Sequence, residues 1–146
     1  MAINLKYTVC VQSVRNMKNY IAVGLGGVIG SSLRYLISLL FWSENFSGFP
    51  MATLIANLSG AFVLTYILFH PYIMSKWNPS FLIALTAGVI GSYTTFSTIT
   101  IEVVMLAREN ISQSVIYLLI TIFGGLLCSF AGFKTSRIFA KRGVGS

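Results

Sequence analysis

Charge is what this sequence has least of. Asp and Glu together number 3 in 146 residues, and charged residues of both signs make up 9%. Soluble domains draw about a quarter of their residues from the charged types, so an ordinary solvated surface is excluded. Histidine occurs once, as His70 beside Pro71 at the end of an apolar run, with no acid or nucleophile at catalytic spacing. That scarcity argues against an enzyme, which needs such groups within reach of one another. Cys10 and Cys128 lie far apart, and neither has a second Cys or His at ligand spacing. A disulfide or a zinc centre is therefore not expected. Residues 1–19 lack a continuous apolar core and a small-residue cleavage site, which speaks against a signal peptide. Met17 opens "MKNYIAVGLGG", a natural start for a membrane helix, so residues 1–16 read as a soluble extension or a misplaced start.

What remains is apolar: 55% of the residues are hydrophobic and mean hydropathy is +0.81. A membrane-crossing helix needs about 20 mostly apolar residues. Four segments meet that length, at 20–42, 51–72, 81–106 and 115–139, with residues 1–19 as an N-terminal extension and 140–146 as a basic tail. The second segment ends in "HPYIMSKWNPS", where Pro71 and Pro79 act as breakers. Short loops make successive helices antiparallel. The expectation is an all-α membrane protein, one domain of four transmembrane helices over 20–139, with the third broken near its middle.

A net charge of +7 raises nucleic acid as a partner, but the distribution argues otherwise. Lys6, Arg15 and Lys18 precede the first apolar run, Lys76 lies in the second loop, and Lys134, Arg137, Lys141 and Arg142 end the chain. Arg108 alone lies in the opposite loops. This asymmetry predicts both termini in the cytoplasm.

Several polar residues sit where lipid penalises them. Arg34 in the first span and Glu102 in the third cost several kcal/mol at depth unless paired or hydrated. Arg34 reads as a structural or electrostatic group ahead of a ligand contact, with snorkelling as the simpler account. Glu102 is either a site residue or a group near the membrane surface. Thr53, Asn57 and Gly60 share one face of the second span, as interhelical glue or as a lining. Gly26 and Gly30 form a small-xxx-small packing face.

The stretch "GSYTTFSTITIE", residues 91–102, carries seven serines, threonines or carboxylates between apolar runs. In a bilayer it predicts a helix break, with hydroxyls meeting the freed backbone groups and unwound carbonyls open to a cation. Helical continuation past the break would put Phe96 and Ile99 on one face, and Thr95, Thr98 and Glu102 on another. Ser129 and Gly132 in the fourth span extend the polar track by helical phase alone.

"GGVIGSSLRY", "ATLIANLSGAF" and "GSYTTFSTITIE" resemble, in order and spacing, the signature segments of the CrcB/Fluc fluoride ion channel family. The resemblance runs from about Met17 into the fourth span. It implies an antiparallel dual-topology dimer in the bacterial inner membrane that lets fluoride leave the cytoplasm passively. Hydrogen fluoride enters as a neutral acid and dissociates inside, and an anion leak relieves the trapping. The resemblance further implies that Gly91 and Thr94 hold a structural sodium ion through their carbonyls at the dimer interface. It assigns Asn57 and Phe96 to the pores, Ser97, Thr98 and Glu102 to the polar track beside them, and Arg34 to the anion vestibule or the fold. Thr53 extends the ion pathway from the second span.

One departure bears on partners. The family pattern has phenylalanine where this chain has Ile99, and its homodimers need nearly balanced loop charge, whereas this chain is strongly biased. Together these predict half of a heterodimer with a homologous subunit of opposite bias. Two rivals are weighed. A proton-coupled small multidrug-type exporter would carry a carboxylate in the first span, where this chain has Arg34. A non-transporting scaffold has no reason to break a helix in mid-membrane.

Overall fold

The computed structural model describes residues 17–41 and 49–142, the side chains of 141 and 142 excepted. The expected extension up to residue 16 and the last four residues of the tail lie outside the described residues. In chain order the helices are α1 (Met17–Leu40), α2 (Met51–Phe69), α3 (Pro71–Lys76) and α4 (Pro79–Ile83). A π-helical stretch, Ala84–Ile90, then leads into α5 (Gly91–Tyr93), α6 (Ser97–Glu109) and α7 (Ile111–Arg142). Among the described residues, four stretches are long and apolar enough to cross a membrane: Met17–Leu40, Met51–Phe69, Pro79–Glu109 and Ile111–Ala140. The four-helix architecture and the interruption of the third span follow the hydropathy and the hydroxyl run.

Local chemistry sets the ends. His70 is extended (φ −85°, ψ 110°), as a residue before proline tends to be, and Pro71 opens α3. Asn78 accepts from the Ser80 N–H at 2.9 Å and caps α4, with Pro79 in the first turn. Asn110 is the one residue between α6 and α7, and its Oδ1 accepts from the N–H groups of Ser112 at 3.0 Å and Gln113 at 3.3 Å. This cap lets the last two spans run closer to their shared turn than the apolar runs alone suggest.

Packing is densest where side chains are smallest. α1 crosses the Ala84–Ile90 stretch at Gly26, where a methyl group would lie 2.5 Å from the Ala84 carbonyl oxygen. At Gly88 a methyl group would lie 2.7 Å from the Val23 carbonyl oxygen. α2 lies along α7, with Leu58 over Gly124 and the Phe62 backbone against Gly132. Two apolar clusters result, one of Leu54, Ile99, Leu106 and Tyr117, the other of Ile67, Leu82 and Ile90. Leucines, valines and phenylalanines such as Leu25, Val28, Phe123 and Leu127 point outward. That surface suits acyl chains rather than water.

Candidate functional site

The third span stops being a helix at Thr94, which is extended (φ −84°, ψ 156°), and resumes at Ser97. In a bilayer each backbone group freed by such a break costs several kcal/mol unless something meets it. Asn57, reaching across from α2, meets both groups of one residue. Its Oδ1 accepts from the Thr95 N–H at 2.8 Å, and its Nδ2 donates to the Thr95 carbonyl at 2.9 Å. The Thr98 N–H is taken by Thr95 Oγ1 at 3.3 Å.

These bonds redirect two amides. In a continuous helix the Thr95 N–H would bond the Gly91 carbonyl and the Thr98 N–H the Thr94 carbonyl. Both carbonyls therefore lose their helical donors, and both belong to the residues expected to hold sodium. Among the described residues no three His, Cys, Asp or Glu side chains gather, so a cation here would rely on neutral oxygens. Backbone carbonyls of an unwound membrane helix suit a monovalent hard cation. The residues present fit that group.

Below the break, α6 carries Thr98, Ile99 and Glu102. The Glu102 carboxylate accepts from Thr53 Oγ1 at 2.7 Å and from the Tyr117 hydroxyl at 2.7 Å. Two charge-assisted bonds of this length hold the carboxylate firmly between α2 and α7. Tyr117 is buried and packs edge-on against Phe49 at a centroid distance of 5.5 Å. Thr95 Oγ1 lies 3.0 Å from Thr98 Oγ1 and 3.4 Å from Ser97 Oγ, so hydroxyls run continuously from the break into α6.

An open cavity of about 730 Å³ lies between the C-terminal half of α1, the start of α2 and α6. Thr53, Thr95, Thr98 and Glu102 line one wall, and Arg34 and Ser38 line another. The structure thus brings together Thr53, Thr95, Thr98, Glu102 and Arg34, with Asn57 behind them gripping Thr95.

Phe96 and Ile99 do not share a face. Phe96 is 81% exposed, whereas Ile99 is 8% exposed and packs with Leu54 and Tyr117. Phe96 precedes the first helical residue and projects beyond the shelter of α2 and α7, which close over Ile99 one turn later. Gly132 belongs to packing, since its Cα faces the Phe62 carbonyl and Thr65, away from the cavity wall. Sequence reasoning missed Tyr117 and the π-helical stretch. A tyrosine inside an apolar span was the available signal for the first; "ALTAGVI" carries none for the second.

Residues 21–133 match the family described as CrcB-like protein, camphor resistance (CrcB). The chain is 37% identical over 127 residues to fluoride-specific ion channel FluC 2 of Geobacillus kaustophilus, covering 86% of this chain and 98% of that one. It is 40% identical over 118 residues to fluoride-specific ion channel FluC of Clostridium perfringens, covering 80% and 91%. Fluoride-specific ion channel FluC 1 of Desulfitobacterium hafniense is 36% identical over 111 residues, covering 75% and 96%. With four apolar spans and a match over most of its length, this chain is a multi-pass membrane protein of the CrcB-like family.

Proposed function

We propose that the chain is a subunit of a fluoride-selective channel that lets the ion leave the cytoplasm passively. The observation that carries this reading is the break at Thr94–Phe96, stabilised by a polar clamp inside the membrane, in a chain whose relatives bear the name fluoride-specific ion channel. Fluoride is small and tightly hydrated, so a narrow pore has to replace its water with donors. The hydroxyls of Ser97 and Thr98 and the edge of the Phe96 ring are groups of that kind. Asn57, Thr53 and Ile99 back this path from α2 and the core. Glu102 holds the hydroxyl hydrogens of Thr53 and Tyr117, and an arriving anion competes with the carboxylate for them. Arg34 supplies positive potential in the cavity that leads there.

The active form is a dimer with a homologous subunit running antiparallel. The single chain leaves Gly91, Phe96 and Ser97 exposed, and a broken backbone is tolerated at membrane depth only where protein covers it. The partner is a different subunit of opposite charge bias, which supplies the phenylalanine this chain lacks at Ile99. The carbonyls of Gly91 and Thr94 would hold a sodium ion, whose charge would raise the local potential. The termini face the cytoplasm across the bacterial inner membrane, on the side that holds Lys76 and the basic tail.

The test is fluoride efflux from sodium-loaded liposomes, with this chain alone and with a homologue encoded beside it. Efflux with the pair and none with the single chain is expected. Efflux from the chain alone overturns the heterodimer, and silence in both overturns the channel.

A further inference from the structure

We propose that Asn57 is a positioning residue for the cation site, holding the Gly91 carbonyl open by keeping the Thr95 amide away from it. The inference deepens the sodium reading above and rests on it. A carboxamide offers one acceptor oxygen and two N–H donors. Here the oxygen and one N–H are committed to the two backbone groups of a single residue, at 2.8 and 2.9 Å. An asparagine so engaged acts on the ion site through the backbone, a role separate from facing the permeant anion.

The surroundings support a latch. One turn along α2, a methyl group on Gly60 would collide with Thr94 Cγ2, so the same helix face that grips Thr95 also leaves a recess for Thr94. Thr94 keeps its own N–H and hydroxyl on the Ile90 carbonyl, each at 3.0 Å, and so ends the upstream helix cleanly. The chain then turns extended, and Thr95 is the first residue whose amide has left the ladder. Without Asn57 the least costly repair returns the Thr95 N–H to the Gly91 carbonyl, because a buried amide in hydrocarbon has to find an acceptor. That repair consumes an oxygen the ion needs.

Two substitutions separate this role from simple packing. Asn57→Leu keeps the number and branching of side-chain heavy atoms and removes both bonds, whereas Asn57→Asp keeps the acceptor for the Thr95 N–H. The full chain, purified together with the homologous subunit encoded beside it, is heated in detergent at rising sodium and constant ionic strength, with a bulky organic cation as replacement. The readout is the sodium concentration at half-maximal stabilisation; a merely structural substitution lowers the melting temperature without moving that midpoint. Asn57→Leu is expected to raise the midpoint about tenfold or more, the usual cost of losing an outer-shell partner of a metal site. Asn57→Asp is expected to keep a sodium response near that of the unsubstituted protein. An Asn57→Leu protein that titrates unchanged overturns the latch, as does an Asn57→Asp protein that has lost its response. If Asn57→Leu does not fold, Asn57→Ala, which also removes both bonds, is titrated in its place and the same outcomes decide. No sodium response in the unsubstituted protein overturns the sodium reading and the latch with it, an outcome distinct from a retained response that ignores Asn57.

Discussion

Where α1 crosses the Ala84–Ile90 stretch, Gly26, Gly30 and Gly88 let backbone meet backbone. Where α2 meets the span at and beyond its break, the contact runs through side-chain hydrogen bonds from Thr53 and Asn57. The first seam is held by shape. Its glycines leave no group to titrate, solvate or exchange partners, and in lipid such close packing is one of the few forces that join helices. The second seam spends its polar groups on bonds that another polar species could take over. The difference places rigidity upstream of the break and chemistry downstream of it, and the two seams should respond differently to substitution.

The largest effect is expected at the glycine seam. A methyl group on Gly30 would overlap the Val89 carbonyl and lie 3.1 Å from the Tyr93 amide nitrogen, so one helix has to move bodily. Gly30→Ala should lower stability by about 3 kcal/mol, the upper part of the range for an overpacked interior. Thermal unfolding in detergent reads the loss. A variant as stable as the parent would show that α1 can slide, and the shape-held account of this seam would fail.

Next in size is the carboxylate of the polar seam. Glu102→Gln presents an N–H₂ group to one of two hydroxyls that now donate at 2.7 Å, so one donor loses its acceptor. Stability should fall by about 1–3 kcal/mol, and fluoride efflux from the reconstituted pair should fall more than stability explains. Tyr117→Phe removes one donor and keeps the ring against Phe49, so a cost of about 1–2 kcal/mol is expected. Unfolding curves and efflux measured on the same preparations separate the two effects. Equal loss from both substitutions would mean that the charge on Glu102 has no part beyond holding the bundle.

The two seams were also unequally legible. Hydropathy marks four spans because the bilayer sets helix length, and the hydroxyl run at 91–98 marks the break because only polar neighbours make a break tolerable in lipid. Gly26 and Gly30 were legible as a packing face, though the helix they face was not. Spacing placed Thr53 and Asn57 on one side of α2 without saying that one would bind Glu102 and the other the Thr95 backbone. Tyr117 escaped notice because helical phase assigns a face within one helix, while its partner Glu102 lies on another. Phe96 and Ile99 went astray for a related reason: a period of 3.6 orders residues within a helix, and Phe96 stands before the helix begins.

The smallest predicted effect bears most directly on how the seams meet. Ser59 donates to the Ile55 carbonyl at 2.7 Å, so its 2.9 Å contact with Tyr93 is one in which the tyrosine donates. This bond ties α2 to the last residue of α5, just upstream of the break and beside the glycine crossing. Interhelical side-chain bonds in membranes are worth about 0.6 kcal/mol on average, because the separated helices find other partners. A double-mutant cycle of Ser59→Ala and Tyr93→Phe should therefore give a coupling of about 0.6 kcal/mol in unfolding free energy. Each single variant should conduct nearly as the parent does, since Asn57 still holds the break. A coupling several times larger would mean that the polar seam extends upstream past Thr94, and that the rigid and the chemical halves of the third span are one unit.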